Sequence, residues 1–64
     1  MNPADITEAR EMLRLTQAQL AAVMGLRGGI SVSEWERGIR NPSAQAARLI
    51  RAYLDGYRPE DWLA

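Results

Sequence analysis

The segment from Leu15 to Gly25 constrains the fold more than any other part of the chain. Thr16 is followed three residues later by Gln19, which is the spacing of a capping box at the start of a helix. Gly25 then supplies the left-handed backbone conformation that ends many helices. The segment therefore predicts a short helix over residues 17–24, followed by a tight turn.

Similar start and stop signals recur along the chain. A polar capping residue or a proline precedes the predicted helices, as in Asn2-Pro3 and Pro42-Ser43, and a glycine such as Gly38 ends them. The helices are predicted over residues 3–14, 17–24, 30–37 and 44–54, with a short last one over 59–63. No strand pattern is present, so the sequence predicts one all-α domain of four to five helices over residues 1–64.

The spacing of apolar residues predicts which side of each helix faces the core. Val32 and Trp35 lie three positions apart and share one face of the third helix. If both face inwards, Ser31 and Glu34 face outwards. On the fourth helix, Ala44, Ala47, Ile50 and Leu54 are predicted to share one face, and Leu49 and Tyr53 another.

The composition excludes several classes of function. The chain has no Cys and no His, so disulfides, zinc fingers and thiol or imidazole catalysis are excluded. No apolar run approaches the roughly 18 residues of a membrane span, and no secretion signal is recognised. We therefore expect a cytoplasmic protein that is not an enzyme and has no cofactor, metal, membrane contact or small-molecule ligand.

The order and spacing of several short motifs resemble the Cro/C1-type (XRE-like) helix-turn-helix family of phage and bacterial regulators. The resemblance spans about residues 6–56. The chain is also similar in size to phage-type repressors and anti-CRISPR-associated regulators. Its motifs are Leu15-Thr16-Gln17-Ala18-Gln19-Leu20-Ala21, Met24-Gly25-Leu26, Val32, Trp35-Glu36-Arg37-Gly38 and Arg40-Asn41-Pro42-Ser43. It implies a small lambda-repressor-like domain that places its third helix in the major groove of double-stranded DNA.

The resemblance also implies which residues contact DNA. Gln17, at the start of the second helix, would lie against a phosphate. Bases would be contacted from the third helix and the turn before it, by Arg27, Ile30, Ser31, Ser33 and Glu34, with Gly29 allowing close approach of the backbone. The phosphate backbone would be bound by Arg37, Arg40 and Asn41. Glu36, in contrast, is expected to bind an arginine or a backbone N–H within the fold.

The charge distribution agrees with a DNA-binding surface in the middle of the chain. The formal net charge is zero, which argues against an indiscriminate nucleic-acid binder. Residues 27–51 nevertheless hold five arginines and two glutamates, whereas the segments on either side are net acidic. Arginines scattered over a solvated face are the alternative interpretation.

The C-terminal region carries more apolar surface than so small a core needs. The residues concerned are Leu49, Tyr53, Tyr57, Trp62 and Leu63. They predict a self-association patch, and a two-fold homodimer would present two reading helices about one DNA turn apart. The alternative is that the last turn folds back over the first and fourth helices.

Two functions follow from this sequence. The first is a sequence-specific transcriptional repressor or autoregulator that binds an inverted-repeat operator as a homodimer. The alternative is an antitoxin or adaptor that uses the same fold mainly for protein–protein interaction. The clustered arginines favour the first function, whereas the neutral net charge and the outward Glu34 favour the second.

Overall fold

Residues 1–63 are the part of the chain described by the structure, which is a computed structural model. Their regular structure is entirely helical, which confirms the all-α class. The helices are α1 (Pro3–Met12), α2 (Gln17–Val23), α3 (Ile30–Glu36) and α4 (Ala44–Leu54). Ala64, which the sequence assigns to the same domain, lies outside the described residues.

The predicted helix ends need correction at several positions. α1 ends two residues earlier than predicted, and α2 and α3 each end one residue earlier. The predicted helix over 59–63 is wrong, because residues 60–63 form only a turn. In that turn the Trp62 N–H donates to the Pro59 carbonyl, three residues back, at 3.1 Å. Leu63 then has a φ of 56°, which an α-helix cannot contain.

Three of the helices begin at the side chains that the sequence predicts as caps. Asn2, Thr16 and Ser43 each accept a hydrogen bond from a backbone N–H three residues ahead. The first two are complete capping boxes, in which Asp5 and Gln19 accept in return from the cap N–H. The starts of α1, α2 and α4 are therefore fixed by local chemistry.

All four helices of residues 1–63 end in the same backbone arrangement. The second residue after each helix has a positive φ, and the next N–H donates to the carbonyl five residues back, as in a Schellman motif. Gly25, Gly38 and Gly56 occupy the positive-φ position after α2, α3 and α4. After α1 the position is Arg14, with a φ of 59°. A side chain disfavours this conformation, so Arg14 is strained where glycine would not be.

We expect the substitution Arg14→Gly to raise the free energy of unfolding by about 0.5–1 kcal/mol, because it removes the left-handed penalty. Urea denaturation followed by tryptophan fluorescence measures the change. The matched control is Gly25→Ala, which adds a Cβ at φ +80° with no heavy atom within 4 Å, and should lower stability by a similar amount. A loss of stability in Arg14→Gly would contradict this account.

The core is one cluster to which every helix contributes. Val32 and Trp35 are 0% and 7% exposed, so the predicted inner face of α3 is confirmed. The buried members of the cluster are Ile6, Ala9, Leu15, Leu20, Ala21, Val32, Trp35, Ile50 and Tyr53. On α4 both predicted faces contribute to the core: Ala47 and Ile50 are buried from one and Tyr53 from the other, whereas Ala44 and Leu54 are exposed.

Tyr53 joins α4 to α2 and supports the C-terminal turn. Its ring is 1% exposed, and its hydroxyl donates to the Val23 carbonyl at 3.0 Å. Trp62 packs edge-on against the ring with centroids 5.0 Å apart, and the Arg58 guanidinium lies 4.5 Å from the Trp62 ring. Arg58 also donates to the Tyr53 and Tyr57 carbonyls at 2.7 and 2.8 Å. The last turn thus folds back onto α4, which is the part of the alternative interpretation that concerns the fourth helix.

Candidate nucleic-acid interface

α3 is held by contacts along its whole length, and these decide which side of it is free. Val32 and Trp35 anchor its middle in the core. The opposite side begins with Ile30, which is 75% exposed. Ser31, Ser33 and Glu34 are half-buried, with part of their surface open to solvent.

The C-terminal end of α3 is fixed by an ion pair with α1. The Arg10 Nε and Nη2 atoms donate to the two carboxylate oxygens of Glu36 at 2.7 and 3.1 Å. The Thr7 hydroxyl donates to the same carboxylate at 3.0 Å, and Arg10 Nη1 donates to the Leu15 carbonyl at 3.1 Å. The Arg10 and Glu36 side chains are only 19% and 8% exposed. This two-bond, largely buried geometry is the strong form of an arginine–carboxylate pair.

The prediction that Glu36 binds an arginine within the fold is confirmed. The hydrogen bond from Arg10 lowers the pKa of the Glu36 carboxyl below its ordinary value, and the Thr7 hydroxyl and the Gln17 amide lower it further. Burial acts in the opposite direction but does not outweigh these bonds. The sequence did not identify Arg10 as the partner, because 26 positions separate the two residues.

We expect Glu36→Gln to lower the free energy of unfolding by about 2 kcal/mol at neutral pH, because Arg10 loses a charged acceptor. Because the pKa is lowered, the ionised carboxylate contributes its full stabilisation at pH values above the ordinary pKa of 4.5. This stabilisation is lost as the pH falls through the lowered pKa. The stability difference between parent and variant should therefore shrink below about pH 4. Urea denaturation across this range measures it, and a difference that does not change with pH would contradict the assignment.

The N-terminal end of α3 is fixed by close contact with the start of α2. A Cβ placed on Gly29 would lie 3.2 Å from the Ala18 nitrogen and 3.3 Å from the Gln17 carbonyl carbon. These are rigid backbone atoms, so only glycine fits without a shift. The sequence predicted that Gly29 allows close approach of the backbone to DNA, whereas the structure shows the close approach to be to α2. Contact of Gly29 with DNA stays a prediction.

We expect Gly29→Ala to destabilise the fold by about 1 kcal/mol, because α2 and α3 must separate by a few tenths of an ångström. The neighbouring Gly28 provides a matched control. A Cβ there meets nothing within 4 Å and its φ is not left-handed, so Gly28→Ala should be neutral or slightly stabilising. Thermal unfolding of the two variants tests the contact, and equal effects would contradict it.

Some of the predicted DNA-binding residues lie next to the two ends of α3. The Gly29 contact brings Gln17, the first residue of α2, beside the start of α3. Near the other end, Arg37 Nε donates to the Ser33 carbonyl at 3.4 Å. The arginines and Asn41 are exposed, and the residues that are half-buried are Gln17, Gly29, Ser31, Ser33 and Glu34.

Glu34 does not face this surface as an isolated negative charge. Arg40 Nε lies 3.9 Å from its carboxylate, with side-chain exposures of 75% for Arg40 and 26% for Glu34. The Glu34 carbonyl also accepts from the Ile39 N–H at 2.9 Å, which fixes the turn that carries Arg40. The arginine therefore offsets the charge that would otherwise repel a phosphate.

The predicted dimer patch is partly used by the fold itself. Tyr53 is a core residue and is not available to a partner, because its ring is 1% exposed. Leu49 and Trp62 are half-buried and pack against the core. Tyr57 and Leu63, at 53% and 51% exposure, are the members of the patch with the most free surface.

Comparison with protein-family models identifies the family. The model described as helix-turn-helix matches residues 6–62, which is most of the chain and includes α2, α3, α4 and all but the first three residues of α1. The chain belongs to this helix-turn-helix family, of the XRE/Cro/C1 type, whose members are DNA-binding transcription regulators. No curated protein and no solved structure matched the chain. No helix in residues 1–63 combines the length and the apolar character needed to cross a membrane.

Proposed function

We propose that this chain is a transcriptional repressor or autoregulator that binds an inverted-repeat operator as a homodimer. The observation that carries the proposal is that α3 is packed against the core on one side and exposed on the other. Val32 and Trp35 hold one side in the core, and Ile30, at 75% exposure, begins the side that is left open. A helix fixed in this way can lie in the major groove without rearrangement. The regulator would act in the cytoplasm, where the operator DNA is.

Base recognition would come from the exposed side of α3 and the turn before it. Ile30 suits contact with a thymine methyl group, and Ser31 and Ser33 can donate to or accept from base edges. Glu34 can accept from a cytosine amino group if Arg40 moves to a phosphate. Arg27, exposed in the preceding turn, would add a cation at the edge of the groove.

Phosphate contacts would come from residues at the two ends of this surface. Gln17 lies beside the start of α3, where its amide can donate to a phosphate oxygen. Arg37, Arg40 and Asn41 follow α3 and are all exposed. Contacts at both ends would fix the position of α3 along the DNA, while its side chains read the sequence.

The homodimer would form through the free part of the C-terminal patch. Tyr57 and Leu63 supply exposed apolar surface, and the Arg58–Trp62 contact holds the turn that carries Leu63. A two-fold pairing there would give the second reading helix that an inverted repeat requires.

One observation favours a protein partner instead. Ile30, the first residue of α3, and Ile39, three residues after its end, are 75% and 59% exposed. Exposed apolar side chains at the two ends of a helix can form the centre of a protein–protein contact. An antitoxin or adaptor that binds its partner through this surface is therefore the second candidate.

The salt dependence of DNA binding tests the proposal. The probe is a duplex from the promoter region of the chain's own operon, with a scrambled duplex as control, measured at several salt concentrations. We expect specific binding that weakens steeply with salt, and a slope that falls by roughly one in Arg37→Ala and in Arg40→Ala, because each removes one phosphate contact.

Arg48→Ala is the matched control, since Arg48 is an exposed arginine of α4 outside the proposed surface. It should leave the salt slope unchanged. Equal weak binding of both duplexes, or a slope that changes equally in all three arginine variants, would contradict the proposal. A tight complex with a neighbouring gene's product in place of specific DNA binding would support the adaptor.

A further inference from the structure

An open groove between α1 and α4 is not used by the proposed DNA contacts. Its volume is about 240 Å³. Its lining includes Met1, Asp5, Glu8, Met12, Arg51 and Leu54. Met12 and Leu54 remain 66% and 38% exposed although both are large and apolar. Neighbouring apolar side chains left open to solvent are typical of an interaction surface.

The groove lies on the side of α1 that faces away from α3. Glu8 and Met12 are each two positions from Arg10, which places them about 160° around the helix from it. Arg10 binds Glu36 of α3. A partner in the groove would therefore leave the proposed DNA-binding side of α3 open.

The groove is also separate from the C-terminal patch. Arg51, which lines the groove, is two positions from Leu49, so the two lie about 160° apart around α4. Leu49 belongs to the surface on which Tyr57 and Leu63 were predicted to form a dimer. Both surfaces of one molecule can therefore be occupied at the same time.

The charges around the groove suit a second copy of the same surface. Asp5 and Glu8 on α1 are negative, and Arg51 on α4 is positive. Within residues 1–63, the ion pairs shorter than 4.0 Å involve other side chains. A two-fold interface brings one patch together with itself, so it needs acids and a base beside an apolar centre. This groove has both.

We propose that the α1–α4 groove is a second self-association surface, in which two copies pair about a two-fold axis. Met12 and Leu54 of each copy form the apolar centre, and Arg51 of each copy faces Glu8 and Asp5 of the other. The consequence on DNA rests on the proposed function: a dimer bound at one operator would recruit a second dimer to a neighbouring operator through this groove.

Sedimentation velocity of the full chain without DNA, over a wide range of protein concentration, tests this pairing. Three single variants should each raise the dissociation constant for assembly beyond the dimer by about tenfold or more: Met12→Glu, Glu8→Arg and Arg51→Glu. The first places a charge in the apolar centre, and the other two bring like charges together across the interface. The double variant of Glu8→Arg and Arg51→Glu should restore assembly, since the opposite charges face each other again.

The matched control is Glu11→Arg, which makes the same charge change on an exposed residue of α1 that does not line the groove. It should leave assembly unchanged. Leu63→Glu should weaken the C-terminal dimer and not the groove contact. Circular dichroism confirms that each variant folds.

Three results would overturn the inference: a chain that shows no assembly other than a dimer weakened by Leu63→Glu, a Met12→Glu variant that assembles like the parent, or a double variant that assembles no more strongly than Glu8→Arg or Arg51→Glu alone. None of these depends on DNA. Loss of operator binding with groove assembly intact would contradict the proposed function and leave the groove pairing standing.

Discussion

The ion pair between Arg10 and Glu36 is the interaction on which the DNA-facing geometry depends. α3 has only seven residues, too few to be a stable helix by itself. Its position is set by what it contacts, and the Arg10–Glu36 pair ties its last residue to α1 through two hydrogen bonds. Thr7, also on α1, donates a further hydrogen bond to the same carboxylate at 3.0 Å. One largely buried carboxylate thus ties the end of α3 to α1.

The remaining contacts of α3 act together with this pair. Gly29 permits backbone contact with α2 at one end, and Val32 and Trp35 fill the core in the middle. A helix held at three points has one side left for a ligand. Because the surrounding arginines lie in a chain of zero net charge, any binding to DNA must depend on local placement rather than on overall attraction.

The sequence predicted what local chemistry decides. The caps Asn2, Thr16 and Ser43 fixed three helix starts because a cap and its N–H partner are three residues apart. The end of α1 was missed because Arg14 takes a left-handed conformation that the sequence marks only when glycine is present. The errors at the ends of α1, α2 and α3 are confined to one or two residues each.

Contacts between residues that are distant in the chain could not be predicted from the sequence. The pattern of α4 placed Tyr53 on a different face from Ile50, and it did not show that the buried Tyr53 donates its hydroxyl to the Val23 carbonyl, 30 positions away. The role of Gly29 depends on α2 lying against it, which no local pattern shows. For the site, the sequence predicted a set of DNA-binding residues but did not show that Glu34 lies beside Arg40.

A double-mutant cycle on Arg10 and Glu36 tests the central claim most directly. The free energies of unfolding of Arg10→Met, Glu36→Gln and the double variant are compared with that of the parent at neutral pH. If the pair holds α3 against α1, the double variant loses less stability than the sum of the single variants, with a coupling of about 2 kcal/mol. Effects that add to within roughly 0.5 kcal/mol would show that the two residues act independently, and would contradict the account.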